Sequence, residues 1–369
     1  MSAIFLYGTL RYRPLLDIVA GREVDARPAR LPGHAVFWAG EESYPRIAEA
    51  DGIAEGLLID SDAAAARIDF YEGGYGYAVK PVTVETEAGP VAARMYWPGA
   101  DVPAPGAPWS LDAWIADWGR MTLHVAEEAM GYYGEIRPEA LAGRMSSIRA
   151  RAHSRVLAGT FPTPTPLGPL PEGSVETEVV RRPYTNFFSV REDDLRHPLF
   201  KGSLGPLVTR AAFISADASV VLPYDPVRDR VHLIEQFRMG PHFRGDPNGF
   251  LIEAVAGRVD PGETPEEAAH REAREEAGLT LSSLHLVSRS YPSPGAFTEL
   301  LHIFIGIADL PDGTGGIGGL QSEAEDIRST VIPFAEFEKR LDEGGLNVGP
   351  LIIAGLWLAR HRERLRAQA

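Results

Sequence analysis

Residues Gly257 to Leu279 read GRVDPGETPEEAAHREAREEAGL, and the local structure can be argued residue by residue. Thr264 is a good helix N-cap, Pro265 suits the first helical position, and Glu267 completes a capping box with Thr264. Gly278 supplies a left-handed stop. The stretch therefore predicts a helix over Pro265–Ala277. On it Ala269, Ala273 and Ala277 recur every four residues and form a narrow face for close packing. Glu272 and Glu276 are also four apart, so their carboxylates stack on one side with Glu275 beside them, and Arg271 can pair with Glu275. Like charges at that spacing repel, and a divalent cation turns the repulsion into binding. Hard oxygen ligands from one or two carboxylates, completed by phosphate and water, describe a Mg²⁺ site. A solvated acidic face on a surface helix is the commoner origin of such a run; the flanking residues decide between the two.

Outward from this helix, strand-like runs at Leu207–Ile214, Ser219–Pro223, Val231–Glu235 and His302–Ile307, with a second helix at Pro350–Arg366, predict an α/β unit. Upstream, GTFPTPTPLGPLPEGS (Gly159–Ser174) holds five prolines and reads as an extended spacer. Before it come short β-like runs at Ile4–Leu6, Ala35–Trp38, Gly56–Ile59, Val79–Val84 and Ala92–Trp97, with a small helix at Asp62–Asp69. These predict a compact α+β or barrel-like unit. Leu111–Tyr133 and Pro138–Arg155 read as amphipathic helices, with Trp114, Trp118, Met121 and Val125 as plain core. The expected domains are 1–108, a helical extension 109–158, the linker 159–174 and the α/β unit 175–369.

Composition sets the bounds. The 369 residues are 44% apolar and 24% charged, with no cysteine and a net charge of −15. Length suggests two or three domains. Disulfides, Fe–S clusters, Cys-ligated zinc and thiol nucleophiles are excluded. Basic residues number 15 against 21 acidic through residue 155, and 21 against 30 beyond it. Neither half looks like a nucleic-acid footprint. No apolar run is long enough to span a bilayer, and the first residues lack the basic start of a secretory signal, so the expectation is a cytoplasmic protein with no membrane partner.

Gly257, Glu263, Arg271-Glu272, Glu275-Glu276 and Gly278-Leu279 together match the pattern G-x5-E-x7-R-E-U-x-E-E-x-G-U, with Ala273 a small choice at the first apolar position. In this the chain resembles the Nudix hydrolases, whose fold is an α/β/α sandwich with a mixed sheet. Over about Val179–Leu358 it resembles their ADP-ribose pyrophosphatase branch. The matching stretches are RHPLFKG (Arg196–Gly202), YDPVRDRVHLIEQFR (Tyr224–Arg238), LIEAVAG (Leu251–Gly257), SPGAFTE (Ser293–Glu299) and SEAEDIR (Ser322–Arg328). Pro294 stands where that branch carries a proline, whereas Ala296 and Phe297 depart from its usual glycine and serine and loosen the match. The resemblance implies metal ligation by Glu272, Glu276 and the backbone carbonyl of Ala256, with Glu275 joining a metal or orienting its neighbours. Mg²⁺ is the implied ion and Mn²⁺ its substitute. It also implies that Arg238 and Arg210 contact phosphates or terminal ribose, and that Glu253 is a substrate-side acid. A planar guanidinium at Arg238 can independently grip phosphate oxygens. The implied catalytic base is Glu323, with Glu325 as the near alternative, on a loop after the glycine-rich GTGGIGGLQ (Gly313–Gln321), which reads as a hinge. The implied products from ADP-ribose are AMP and ribose 5-phosphate, and such enzymes commonly work as homodimers.

In the N-terminal half, a strand ends in Tyr7-Gly8-Thr9-Leu10, where Gly8 permits a tight turn and free amides could hold an anion. With Ile68–Tyr75 (IDFYEGGY) and Ala93–Pro98 (ARMYWP), this resembles the γ-glutamylcyclotransferase-like, or AIG2-like, family over about residues 3–100, a small β-barrel with helices. The resemblance implies that Glu72 is the acid/base for attack of an α-amine on a γ-glutamyl carbonyl, releasing 5-oxoproline, with the Tyr7–Leu10 amides holding the substrate. Three readings follow: a Mg²⁺-dependent pyrophosphatase with an appended domain, a γ-glutamyl cyclase, or an N-terminal ligand-sensing module that regulates a broader nucleoside diphosphate sugar hydrolase.

Overall fold

The computed structural model describes residues 3–75, 77–161, 164, 166–319 and 325–369. Two compact units emerge: Met1–Ser174 with Val180–Phe187 and Pro198–Leu204, and Val175–Val179 with Phe188–His197 and Gly205–Ala369. Among the described residues no helix is long and apolar enough to cross a membrane.

The first unit contains β1 (Ala3–Leu6), α1 (Arg13–Ala20), β2 (Ala26–Ala39), β3 (Pro45–Ile59), α2 (Asp62–Gly73), β4 (Ala78–Thr86), β5 (Gly89–Trp97) and β6 (Pro105–Pro108). The sheet order is β3-β1-β5-β4-β2-β6, and β2 also pairs with β3, which closes five strands into a barrel. β1 runs parallel to β5 and antiparallel to β3. Its period-two alternation decides what each residue packs against. Ala3, Phe5 and Tyr7 join the barrel interior with Leu31, Ile47, Leu58 and Met95. Ile4 and Leu6 face the helical layer, packing with Leu15, Leu16, Ile68 and Val125.

β2 and β3 are far longer than expected. Proline and glycine ordinarily interrupt a strand, yet Pro28 and Pro32 sit in the ladder and Gly33, at φ 72°, absorbs a register shift between Pro32 and His34. The helices also differ. Instead of one helix over Leu111–Tyr133, α3 (Leu111–Trp114) passes through a π turn (Ile115–Gly119) into α4 (Arg120–Met130). Instead of one over Pro138–Arg155, α5 (Pro138–Ala142) ends at Gly143 before α6 (Met145–Leu157). Trp114, Met121, Val125, Ile148 and Ala152 share one core with Ile4 and Leu6.

The second unit contains β7 (Glu176–Thr185, whose residues are divided between the units), β8 (Ser189–Arg196), β9 (Val208–Ile214), β10 (Ala218–Asp225), β11 (Arg230–Phe237), α7 (Met239–Arg244), β12 (Phe250–Glu253) and β13 (Val255–Arg258). It continues with α8 (Pro265–Ala277), β14 (Leu281–Ser290), β15 (Leu301–Ala308), β16 (Gly315–Gly318), β17 (Ile327–Pro333), α9 (Phe334–Asp342) and α10 (Gly349–Arg366). The main sheet runs β14-β15-β10-β11-β17-β16, with β12 on β11 and β13 on β10; β10 and β15 are parallel, the other pairs antiparallel. Alternate residues cover its two faces. Val221, Ile234, Val255 and Phe304 pack against Ala269 and Ala273 of α8. Val220, Leu222, Leu233, Ile303 and Ile305 pack against Phe334, Phe337, Leu351 and Leu358 of α9 and α10. This is the mixed-sheet α/β/α sandwich. Part of the expected hinge is corrected here: Gly315–Gly318 forms β16, in register with Thr330 to Ile327 of β17.

Candidate active site

α8 is capped at both ends as its residues dictate. Thr264 Oγ1 accepts from the Glu267 N–H at 3.2 Å, while Glu267 accepts from the Thr264 N–H at 2.8 Å. Gly278 takes the left-handed conformation at φ 65°. Arg271 is the hub of the helix. Its Nε and Nη2 donate to Glu263 at 2.8 and 2.9 Å, Nη1 to Glu272 at 2.6 Å and Glu275 at 3.1 Å, and Nη2 also to Arg258 O at 2.9 Å. Glu275 is thus engaged by Arg271, and Glu263 is an Arg271 partner that reading the motif did not assign.

Glu272 and Glu276 lie one turn apart against β13. Glu276 is only 3% exposed and accepts from the Ala256 N–H at 3.0 Å. Burial pushes its carboxyl up to about 8, with the charges of Glu272 and Glu325 adding to the effect. Burial likewise raises Glu272 to about 7, against the pull of Arg271. Gly257 leaves room for the Glu272 carboxylate: a Cβ there would fall 1.8 Å from one of its oxygens. Glu325 acts electrostatically on both acids, whereas Glu323 lies outside the described residues. β16 approaches the same helix closely, since a Cβ on Gly318 would sit 2.8 Å from Glu276 O.

These residues suit Mg²⁺ by donor chemistry: hard carboxylate oxygens, buried and mutually repelling. Among the described residues no three or more His, Asp or Glu side chains converge on one point. Mg²⁺ takes one or two carboxylates and leaves its other positions to water and substrate.

The remaining expected residues are not all gathered there. Arg238, at the end of β11, places Nε and Nη2 on Glu253 at 2.9 and 2.6 Å, and Gln236 adds a bond to the same carboxylate. The arginine and the substrate-side acid expected to act separately are therefore paired with each other. Arg210 is exposed on β9 with its guanidinium on Thr209 O, and no described contact brings it to α8. Pro294 is exposed in its loop. The departures beside it have a structural role: Phe297 stacks on Phe213 at 5.0 Å, and the Phe213 N–H donates to Ala296 O. Glu299 in the same loop went unassigned, yet it stands where it senses Arg238 and Asp217, its carboxyl raised chiefly by burial.

The first unit holds a partly open cavity of about 80 Å³. Tyr7–Leu10, Ser43–Pro45, Tyr71, Glu72, Tyr75, Tyr77 and Tyr96 line it, with Trp114, Trp118, Met121 and Arg149 from the later helices. Trp114, Trp118 and Met121 therefore line the cavity as well as belonging to the core around it. Glu72 is half-buried and its side chain lines this space, and no described residue donates a hydrogen bond to its carboxylate. Burial raises its carboxyl to about 8, with Asp69 contributing. Asp69 is itself held by both Arg94 Nη atoms at 2.6 and 2.8 Å and by Tyr96 at 2.6 Å. Gly8 opens the turn after β1, where the Arg11 N–H donates to Gly8 O at 3.0 Å, and a Cβ on it would press on Pro45. Ser43, Trp118 and Arg149 carry no local motif; only the fold brings them to the cavity.

Residues 215–351 match the NUDIX domain family, and residues 4–115 match the family described as gamma-glutamyl cyclotransferase, AIG2-like. Through its C-terminal half the chain belongs to the Nudix hydrolases, and it is an enzyme of that class with an AIG2-like domain ahead of it. Among particular relatives, the ADP-ribose pyrophosphatase of Escherichia coli strain K12 is 37% identical over 200 residues, covering 54% of this chain and 95% of the relative. That of Haemophilus influenzae is 36% identical over 185 residues, 50% of this chain and 85% of the relative. A GDP-mannose pyrophosphatase of Cronobacter sakazakii is 36% identical over 135 residues, 37% of this chain and 69% of the relative.

Proposed function

We propose that the C-terminal unit hydrolyses the pyrophosphate bridge of ADP-ribose, or of a related nucleoside diphosphate sugar, to AMP and a sugar phosphate such as ribose 5-phosphate. The observation that carries this reading is the pair of buried carboxylates, Glu272 and Glu276, one helical turn apart and within electrostatic reach of Glu325. Glu272, Glu276 and the Ala256 carbonyl would hold Mg²⁺, or Mn²⁺ in its place. The ion supplies charge neutralisation for the diphosphate and a lowered pKa for the attacking water. Arg271 fixes the rotamers of Glu272 and Glu275, so their oxygens are placed before substrate arrives. Glu323 or Glu325 takes the proton of the attacking water. Arg238 can turn one face of its guanidinium to a phosphate oxygen while Glu253 holds the other.

Incubating the full chain with ADP-ribose and Mg²⁺ tests the reading. We expect AMP release that stops with EDTA and falls at least a hundredfold in E276Q; metal-free turnover, or an unimpaired E276Q, would overturn it. A panel of nucleoside diphosphate sugars that includes GDP-mannose, at fixed Mg²⁺, ranks the substrates.

A second reading applies to the N-terminal unit, favoured by Glu72, whose carboxylate lines the cavity with no hydrogen-bond donor among the described residues. Glu72 would take a proton from a substrate's α-amine as that nitrogen bonds to the γ-carbonyl carbon. It would return the proton to the amine that leaves when the γ-amide C–N bond breaks, so 5-oxoproline and a free amine form. Release of 5-oxoproline from γ-glutamyl dipeptides, lost in E72Q, is the expected result.

A further inference from the structure

We infer that the N-terminal cavity takes an amino-acid-sized molecule bearing a single carboxylate, and that Arg149 of α6 grips that carboxylate beside Ser43. The inference shares its cavity with the cyclisation reading and rests on that reading for the choice of probe, not for turnover.

Arg149 lines the cavity and is partly buried. Its Nη2 donates to Ser43 Oγ at 2.7 Å, and no carboxylate among the described residues pairs with it. Ser43 is itself fixed, because Trp114 Nε1 donates to its carbonyl at 3.0 Å. One of five guanidinium N–H bonds is thereby used, and the rest of the fork is unspent toward the cavity. Arg151, two residues on, shows the contrast: its donors go to Glu128, Asn186 O and Phe187 O. A planar donor set held by a neighbouring hydroxyl and opening on a cavity is the geometry that receives a carboxylate bidentately.

Charge and size narrow the class. Arg149 is the one cationic side chain among the described residues lining the cavity, so with Glu72 protonated a monocarboxylate is balanced, whereas a phosphate dianion leaves one negative charge in excess and crowds Glu72. Tyr71 and Tyr75 bond to each other at 3.3 Å and each senses both Glu72 and Arg149, so these tyrosines lie within reach of both groups. The cavity's volume is several times the ~10–15 Å³ that a single water requires, so it has room for a small ligand. α6 lies beyond the matched segment 4–115, so this grip is supplied by the helices that follow it.

The test uses the full chain and two probes of one shape, 5-oxoproline and its neutral amide, with binding followed by calorimetry. We expect the acid to bind ten- to a hundredfold more tightly than the amide, the range of a charge-assisted hydrogen bond. R149Q should erase that preference and R149K should keep part of it, with circular dichroism confirming that both are folded. Equal affinities in the unaltered protein, no saturable binding of the acid, or a preference that survives in R149Q would each overturn the inference. γ-Glutamyl turnover is assayed separately. Acid preference without turnover would remove only the cyclisation reading, and turnover without acid preference would remove only the role of Arg149.

Discussion

Replacing Gly257 with alanine perturbs the proposed hydrolase site by one methyl group. The added Cβ would lie 1.8 Å from Glu272 Oε1, 2.1 Å from its Cδ and 2.7 Å from Oε2. Ordinary contact begins near 3.4 Å, so the carboxylate must retreat by about 1.5 Å or more. The obstacle is the end of a side chain, so the strand need not move, and alanine also reduces unfolded-state entropy. Loss of the Arg271–Glu272 bond offsets that gain, leaving stability within about 1 kcal/mol, or a few degrees in a unit of this size. Catalysis has no such compensation, because a displacement near 1 Å at a positioned group costs about a hundredfold. Initial rates of AMP release at saturating Mg²⁺, beside calorimetric melting, should show kcat/KM down by at least that factor and Tm nearly unchanged. A G257A enzyme with full turnover would refute the placement of Glu272 at the reacting diphosphate.

Other substitutions test separate links. R271K keeps the charge but cannot serve five acceptors, so it should lower the Tm of the second unit by several degrees, about 1–3 kcal/mol, and cut kcat/KM about tenfold; calorimetry and rates check both. For Glu72 the sign follows from a folded-state pKa of about 8 against the ordinary 4.5. Below pH 4.5 both states hold the proton, and from there to pH 8 only the unfolded state releases it. The intact protein should therefore lose stability relative to E72Q across that window, by a few kcal/mol, with a constant gap above pH 8. Five of the six tryptophans precede residue 159, so indole fluorescence during urea unfolding at several pH values reads the first unit; a gap that does not change with pH would remove Glu72 from its buried setting.

What was legible in the sequence was whatever local chemistry fixes. Thr264, Pro265, Glu267 and Gly278 set the bounds of α8 without help from the rest of the chain, and the repeat of Ala269 and Ala273 marked the face that packs on the sheet. Legibility failed where tertiary pairing overrode a local signal. Prolines inside β2 are tolerated because a bulge at Gly33 restores the ladder, and a run of glycines forms β16 because β17 supplies its partners. Cavity residues were hidden for another reason. Ser43, Trp118 and Arg149 are brought together only by the fold, and an arginine on a helix says nothing by itself of what it faces. The pairing of Arg238 with Glu253 was equally invisible, since each residue read as addressing the substrate.

The guanidinium of Arg271 has five N–H bonds, and five acceptors take them: both oxygens of Glu263, one each from Glu272 and Glu275, and the carbonyl of Arg258. Fully subscribed, it has no donor left to greet an incoming anion. An arginine embedded in an acidic signature is easily mistaken for a ligand of the substrate, but in this chain it works as an internal tie whose effect on affinity is indirect. Engineering aimed at altered substrate choice would therefore do better to leave position 271 alone and vary the partly exposed Arg238, where a guanidinium edge can still be redirected.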